Sequence, residues 1–363
     1  MRWGDLEVGE DERRQLPGYR DESRVRRFKA PEAVDIRFME VRAKSALNRV
    51  PTASRVPFKW TVNPYRGCTH ACVYCFARPT HEYLGMGAGR DFEREVVVKV
   101  NAPEVLRSEL SRPSWRGEHV ALGTNTDPYQ WVESRYKLTR GIWEALLEAR
   151  NPCSILTKSP LVLRDADLLR RIGEVADVSA CLSVPTLDEK AWRATEPHTP
   201  HPRARLEAVA ELNRQGVPTG ILISPLMPGI NDGPEQVERI VELAIEAGAV
   251  AIGGNTLFLR GAVRDIFFDW LRSQRPDLVP RYEQLYRRGA YAPQAVRDQI
   301  QSSVRVPSGR LKPYPEAIER SGARTPGLQR GGGGRPGEAG VAREMRRNLA
   351  AVIEDQSRQQ ALF

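Results

Sequence analysis

The chain has 363 residues, 40% hydrophobic and 28% charged, a composition that can bury a sizeable core. Mean hydropathy is −0.48, and no apolar run approaches the roughly 18 residues a membrane-spanning helix needs, so no such helix is expected. The formal net charge of +9 is compatible with a polyanionic partner, but it is unevenly spread.

Residues 1–54 read as an N-terminal extension. The start, MRWGDLEVGEDERRQ, is charged throughout and lacks the apolar stretch of a secretory signal, which predicts a cytoplasmic protein. Residues 1–50 carry 12 Lys and Arg against 10 Asp and Glu, so the Arg-rich stretch Arg20–Lys29 is nearly balanced by its surroundings. Residues 55–304 read as a core of alternating strands and helices. The strand-like runs are Phe58–Asn63, Val96–Val100, His119–Gly123, Ser154–Thr157, Val178–Ser183, Thr219–Ser224 and Val250–Leu257. Most are short, apolar and rich in Val or Ile, as strands buried on both faces are. Helical segments are predicted at Pro103–Leu110, Leu138–Ala149, Ala166–Val175, Arg203–Gln215 and Pro234–Ala247. Gly216 and Gly248 stand where two of these should stop. Six or seven strand–helix units, rather than eight, predict a partial (β/α)6 barrel of the TIM type. Residues 305–363 carry 11 Lys and Arg against 6 Asp and Glu, which leaves +2 for the stretch 51–304. This basic, Gly-rich tail, with Gly331 to Gly334 in a row, cannot bury enough apolar surface to order itself and is expected to be flexible. It offers an electrostatic arm for a nucleic acid.

A parallel barrel carries its chemistry at the carboxyl ends of its strands. Polar and Gly/Pro-rich segments do cluster there: Asn63–Cys68, Thr124–Tyr129, Lys158–Pro160, Ser183–Pro185 and Pro225–Asp232. Asp127, Tyr129 and Glu133 are expected to face this mouth, whereas Asn231 and Asp232 are expected to shape a turn before a helix starting at Gly233–Pro234. His198 and His201, with Glu196, form a stiff Pro-rich loop suited to proton transfer.

The most specific signal is Cys68-Thr-His-Ala-Cys72-Val-Tyr-Cys75, a CxxxCxxC triplet. Three thiolates this close can converge on one metal centre. Structural zinc would take His70 or His81 as a fourth ligand, giving a non-catalytic, zinc-containing nucleic-acid-binding protein. A redox thiol pair needs only two of the cysteines. A [4Fe–4S] cluster with three protein ligands leaves one iron open. Cys153 and Cys181 lie in apolar strand-like runs and read as small buried hydrophobes.

Following the first strand of a partial barrel, the string NPYRGCTHACVYCFARPTHEY resembles the radical S-adenosylmethionine superfamily, in the branch containing spore photoproduct lyase and its DNA-repair-photolyase-like relatives. The likeness covers roughly residues 55–260. It implies that Cys68, Cys72 and Cys75 hold a [4Fe–4S] cluster and that the open iron chelates S-adenosylmethionine. Reductive cleavage of this sulfonium would give a 5′-deoxyadenosyl radical that takes a hydrogen atom from substrate. It also implies that Tyr74 touches the adenine and that Lys158 and Ser183 meet the cofactor's polar groups, with Asp127 ordering cofactor or substrate. A nucleic-acid lesion or base is the implied substrate, with a peptide or RNA as alternatives. The implied electron donor is a flavodoxin or ferredoxin. The lyase's extra cysteine near the third strand end has no counterpart: Leu122–Tyr129 contains no cysteine. That departure counts against thymine-dimer reversal by the lyase's route.

Overall fold

The computed structural model describes residues 7–51, 58–306 and Leu311. In chain order the strands are β1 (Glu7–Arg14), β2 (Ser23–Phe28), β3 (Arg37–Val41), β4 (Leu47–Arg49), β5 (Trp60–Val62), β6 (Tyr65–Arg66), β7 (Glu95–Lys99), β8 (Val120–Leu122), β9 (Cys153–Thr157), β10 (Val178–Ser183), β11 (Thr219–Leu226) and β12 (Ile252–Thr256). They form two sheets. The larger has the order β12-β11-β10-β9-β8-β5-β4. Its strands β5 and β8–β12 are parallel, and β4 closes one edge antiparallel to β5. Six parallel strands in sequence order make an open (β/α)6 half-barrel, and no pairing between β12 and the opposite edge closes it among the described residues.

Helices Ala102–Leu110, Leu138–Glu148, Ala166–Gly173, Pro202–Arg214 and Pro234–Glu246 supply the crossovers. Their apolar faces meet the sheet in one core that includes Trp143, Leu146, Leu169, Leu212 and Ile240. β8 and β11 are buried along their whole length, which is why their sequences read as continuous apolar runs. Helix Ala262–Gln274 follows β12, and its Phe267 joins Leu257, Met227, Cys72 and Tyr74 in a second apolar cluster. This cluster binds the carboxyl end of the sheet to the cysteine loop. No helix among the described residues is long and apolar enough to cross a membrane.

The second sheet has the order β1-β2-β3-β7-β6, and it corrects one expectation. The run Val96–Val100 is not a barrel strand: β7 runs parallel to β3, from Arg37↔Glu95 to Val41↔Lys99, and antiparallel to β6. Val96 and Val98 pack against Phe38 and Tyr65, while Val97 packs on the other face against Leu16, Val25 and Met39. Burial on both faces gives β7 the apolar pattern of a barrel strand, so its pattern alone does not reveal which sheet it joins. Residues 7–49 thus contribute strands to both sheets, and the 54/55 boundary falls among residues 52–57, outside those described. Of the basic tail, 305–363, only Arg305, Val306 and Leu311 are described.

Candidate functional site

The cysteine loop is built where the chain leaves β6. Gly67 sits at φ +86°, and a Cβ there would lie 2.8 Å from the Phe92 carbonyl oxygen and 3.0 Å from His81 Cε1, so only glycine fits. The Gly67 carbonyl accepts hydrogen bonds from Thr126 Oγ1 at 2.7 Å and Gln130 Nε2 at 3.1 Å, and Gln130 Oε1 accepts from the Thr69 amide at 3.0 Å. Arg78, itself buried, staples the other side of the loop. Its guanidinium donates to the carbonyls of Ala71 (3.1 Å) and Cys72 (2.9 and 3.0 Å), to those of Ala88 (3.3 Å) and Gly89 (3.0 Å), and to the Glu93 carboxylate (2.5 Å). The loop is therefore held from both sides through its backbone.

Cys68 and Cys72 are buried, Cys75 is half-buried, and all three line one cleft at the carboxyl end of the half-barrel. Burial pushes the Cys72 thiol well above its ordinary range and that of Cys75 up to about 11. A metal binds the thiolate, so metal binding at these thiols would release protons. Among the described residues, no three His, Cys, Asp or Glu side chains are already gathered into a closed metal cage. The donor set is three thiols on one open loop, which matches a centre that keeps a position free for another ligand.

The two flanking histidines are both engaged. His70 lines the cleft with Nδ1 3.4 Å from Asp127 Oδ2. Its burial disfavours charge, but Cys68 and Asp127 outweigh that and push its pKa up to about 10. His81 is buried outside the cleft lining, with Nε2 2.9 Å from the Glu95 carbonyl oxygen, its ring edge-on to Phe92, and Nδ1 without a partner. Burial lowers its pKa.

Across the cleft from the cysteines stand the ends of β8, β9 and β10. Asp127 joins two of them: Oδ1 accepts from the Tyr129 amide (2.9 Å) and Thr157 Oγ1 (2.6 Å), and Oδ2 from the Lys158 amide (2.7 Å). Although burial works against its charge, His70 and these donors keep its pKa below the ordinary value. Lys158 projects into the cleft, where Nζ donates to Ser183 Oγ at 2.7 Å and lies 3.0 Å from Glu196 Oε1. It also stands 5.7 Å from the centre of the Tyr74 ring. Ser183 Oγ donates onward to the Ser224 carbonyl at 3.1 Å. Tyr74, Asp127, Lys158 and Ser183 thus share one cleft with Cys68, Cys72 and Cys75. The end of β9 contributes Leu156, Thr157 and Lys158 to the lining, and β11 contributes Leu222, Ser224 and Pro225.

Other expectations are corrected. Tyr129 and Glu133 do not line the mouth. Tyr129 is buried and donates to Asp165 at 2.8 Å, while Glu133 is buried against Tyr65, Arg164 (2.6 Å) and the Thr139 amide (3.1 Å). Tyr129 lies in the turn after Asp127 and Glu133 opens the short helix Glu133–Tyr136, so the chain has already left the strand end at Leu122. His201 caps helix Pro202–Arg214 by accepting from the Arg203 amide at 3.2 Å, and His198 is exposed, so neither meets Glu196 in a proton relay. Glu196 is instead buried among Tyr74, Lys158, Thr199 and Arg205. Asn231 and Asp232 do shape a turn, accepting from the Met227 (2.6 Å) and Gly229 (2.7 Å) amides, and the helix begins at Pro234. Cys153 and Cys181 are buried. Gln130, Arg78 and Arg205 escaped the sequence reading. Each is a polar residue with no motif of its own, and only its burial reveals its role.

Residues 62–244 match the model of the radical SAM superfamily, half of the chain, and the protein belongs to that superfamily. Uncharacterized proteins of Mycobacterium bovis and Mycobacterium tuberculosis are each 46% identical over 289 residues, covering 80% of this chain and 85% of theirs. A radical SAM Nα-GlyT isomerase of Pseudomonas phage M6 is 30% identical over 169 residues, 46% of this chain and 33% of its own. Among solved structures, spore photoproduct lyase shares the fold. One variant aligns at a TM-score of 0.54 and 15% identity over 80% of this chain and 83% of its own. The enzyme complexed with dinucleoside spore photoproduct aligns at 0.53 and 14%, over 74% and 77%. The parallel strands β5 and β8–β11, with the cysteine triplet between β5 and β8, lie within or at the edge of this matched stretch.

Proposed function

We propose that this protein is a radical S-adenosylmethionine enzyme in which Cys68, Cys72 and Cys75 hold a [4Fe–4S] cluster. The observation that carries the reading is one cleft lined on one wall by three thiols and on the other by Lys158 and Ser183. A ligand with an aromatic base at one end and an amino-acid head at the other suits that arrangement. Lys158 presents a cation for a carboxylate, Ser183 a hydroxyl, and the Tyr74 ring an aromatic face for adenine. When bound, the cluster and the sulfonium together supply one-electron reductive cleavage to methionine and a 5′-deoxyadenosyl radical. The chain's own part is to fix the ligand, to shield the cleft from water with the apolar cluster around Leu257 and Phe267, and to hold the two walls in register through Asp127. An electron donor such as a flavodoxin or ferredoxin completes the cycle.

For the substrate we favour a nucleic acid. The reading is supported by the fold shared with a spore photoproduct lyase complexed with dinucleoside spore photoproduct and by the basic excess of residues 305–363. A base in a duplex must be flipped or exposed to enter such a mouth. Because the lyase's extra cysteine has no counterpart in Leu122–Tyr129, the reaction proposed is not the lyase's own. The test of the cofactor reading is anaerobic reconstitution with iron and sulfide. Four irons with acid-labile sulfide per chain support it, whereas one zinc per chain would support the non-catalytic alternative. For the partner, duplex DNA affinity should fall steeply with salt and should fall again when residues 305–363 are removed. Equal affinity of the shortened chain would remove the tail from the interface.

A further inference from the structure

The cleft wall is backed by a fully buried ion pair that does not itself face the cleft. Glu196 and Arg205 are both 0% exposed, and Arg205 Nη2 lies 2.5 Å from Glu196 Oε2. A buried pair of this kind contributes little net stability, because desolvation offsets most of the attraction, so its retention calls for another reason. The two carboxylate oxygens of Glu196 have different partners. Oε2 is fixed from inside by Arg205 and by Thr199 Oγ1 at 3.2 Å. Oε1 receives the Tyr74 hydroxyl and lies 3.0 Å from Lys158 Nζ, and both of those groups line the cleft. Arg205 is in turn anchored by donating to the carbonyls of Ser183 and Pro200, each at 2.9 Å. Its bond to Ser183 ties the pair to the third polar group of the wall.

We infer that Glu196, held by Arg205, is a bracket that fixes Tyr74 and Lys158 relative to each other, and so sets the spacing between the two ends of the ligand they receive. This rests on the proposed S-adenosylmethionine site and assigns a positioning role that lies behind it. The charges fit the task. Two cations share one carboxylate, and the surplus positive charge is on Lys158, the member that reaches the cleft, where a ligand carboxylate neutralises it. Glutamine at position 196 cannot serve both neighbours. Arg205 and Lys158 are both donors, and an amide offers one accepting oxygen and one donating NH2 group where two oxygens are needed.

The test measures equilibrium dialysis of labelled S-adenosylmethionine against the anaerobically reconstituted, unreduced protein, so that no turnover intervenes. Wild type, E196Q, K158M and the double variant form one cycle. The expected result is roughly tenfold weaker binding for each single variant and no further loss in the double variant, because the bracket acts through Lys158. Y74F, which removes only the hydroxyl that Glu196 accepts, should weaken binding in the wild type and change it little in E196Q. This second cycle carries the test if K158M fails to fold, and replacing E196Q by T199V in the first cycle does so if E196Q fails. Additive losses in both cycles, or unchanged affinity in folded E196Q, would overturn the bracket while leaving the cofactor site standing. Absence of binding by the reconstituted wild type would overturn the functional reading and the bracket together.

Discussion

Gly67→Ala is the substitution that most directly probes how the fold presents the cysteine loop. Two costs add. An alanine at φ +86° pays the left-handed penalty of about 1–2 kcal/mol. Its Cβ also meets the Phe92 carbonyl oxygen at 2.8 Å, and relieving that overlap displaces backbone at a cost of about 1–3 kcal/mol. The expected destabilisation is therefore roughly 2–5 kcal/mol, from the shift of the urea midpoint at constant slope. Gly216→Ala is the matched control, since Gly216 sits at φ +82° with nothing within 4 Å of its added Cβ. It should lose only the first part, about 1–2 kcal/mol. The two variants should also differ in iron retained after reconstitution, because residue 67 adjoins Cys68 and residue 216 lies in the turn between helix Pro202–Arg214 and β11. Equal losses of stability in the two would refute the argument that close backbone contact fixes this loop.

Arg78→Ala should cost about 3–5 kcal/mol, because it removes a buried guanidinium that donates to three buried carbonyls, to the half-buried Gly89 carbonyl and to Glu93. Arg78→Lys should restore little of this in a urea titration, since an ammonium cannot span the same fork. His119 gives a pH signature: burial lowers its pKa to about 4. The unfolded chain therefore binds the extra proton between about pH 6.5 and 4, so this contribution is fully present above 6.5 and is lost as pH falls through that window. His119→Gln should narrow the difference in stability between pH 7 and pH 5 by about 1–3 kcal/mol; an unchanged difference would contradict the assignment. Asp127→Asn keeps the shape but weakens the ties to Thr157 Oγ1 and the Lys158 amide. It should lower S-adenosylmethionine affinity several-fold with little loss of iron, and loss of iron with intact affinity would reverse that reading.

Much of this was legible because the relevant signals are local. The cysteine triplet, Gly216 and the strand-end loops announce themselves within a few residues, and parallel strands buried on both faces carry an apolar signature. What escaped depends on distance along the chain. Tyr74 and Glu196 meet across a separation of 122 residues, and nothing in Ala-Thr-Glu-Pro-His says that its glutamate turns inward to two cations rather than toward the neighbouring histidines. Gln130 acts 63 residues away, on the Gly67 carbonyl. β7 was misplaced for a related reason. Its apolar pattern reports burial, whereas its sheet is decided by pairing with β3, a strand of charged and apolar residues, Arg-Phe-Met-Glu-Val, that gives little periodic signal.

The central claim is tested most directly by product analysis. Reconstituted protein is reduced anaerobically with S-adenosylmethionine, and 5′-deoxyadenosine is quantified beside Cys72→Ala prepared the same way. The account predicts that the wild type forms 5′-deoxyadenosine and that the variant forms none above background. Equal formation by both, or none by a wild type carrying four irons per chain, would contradict it.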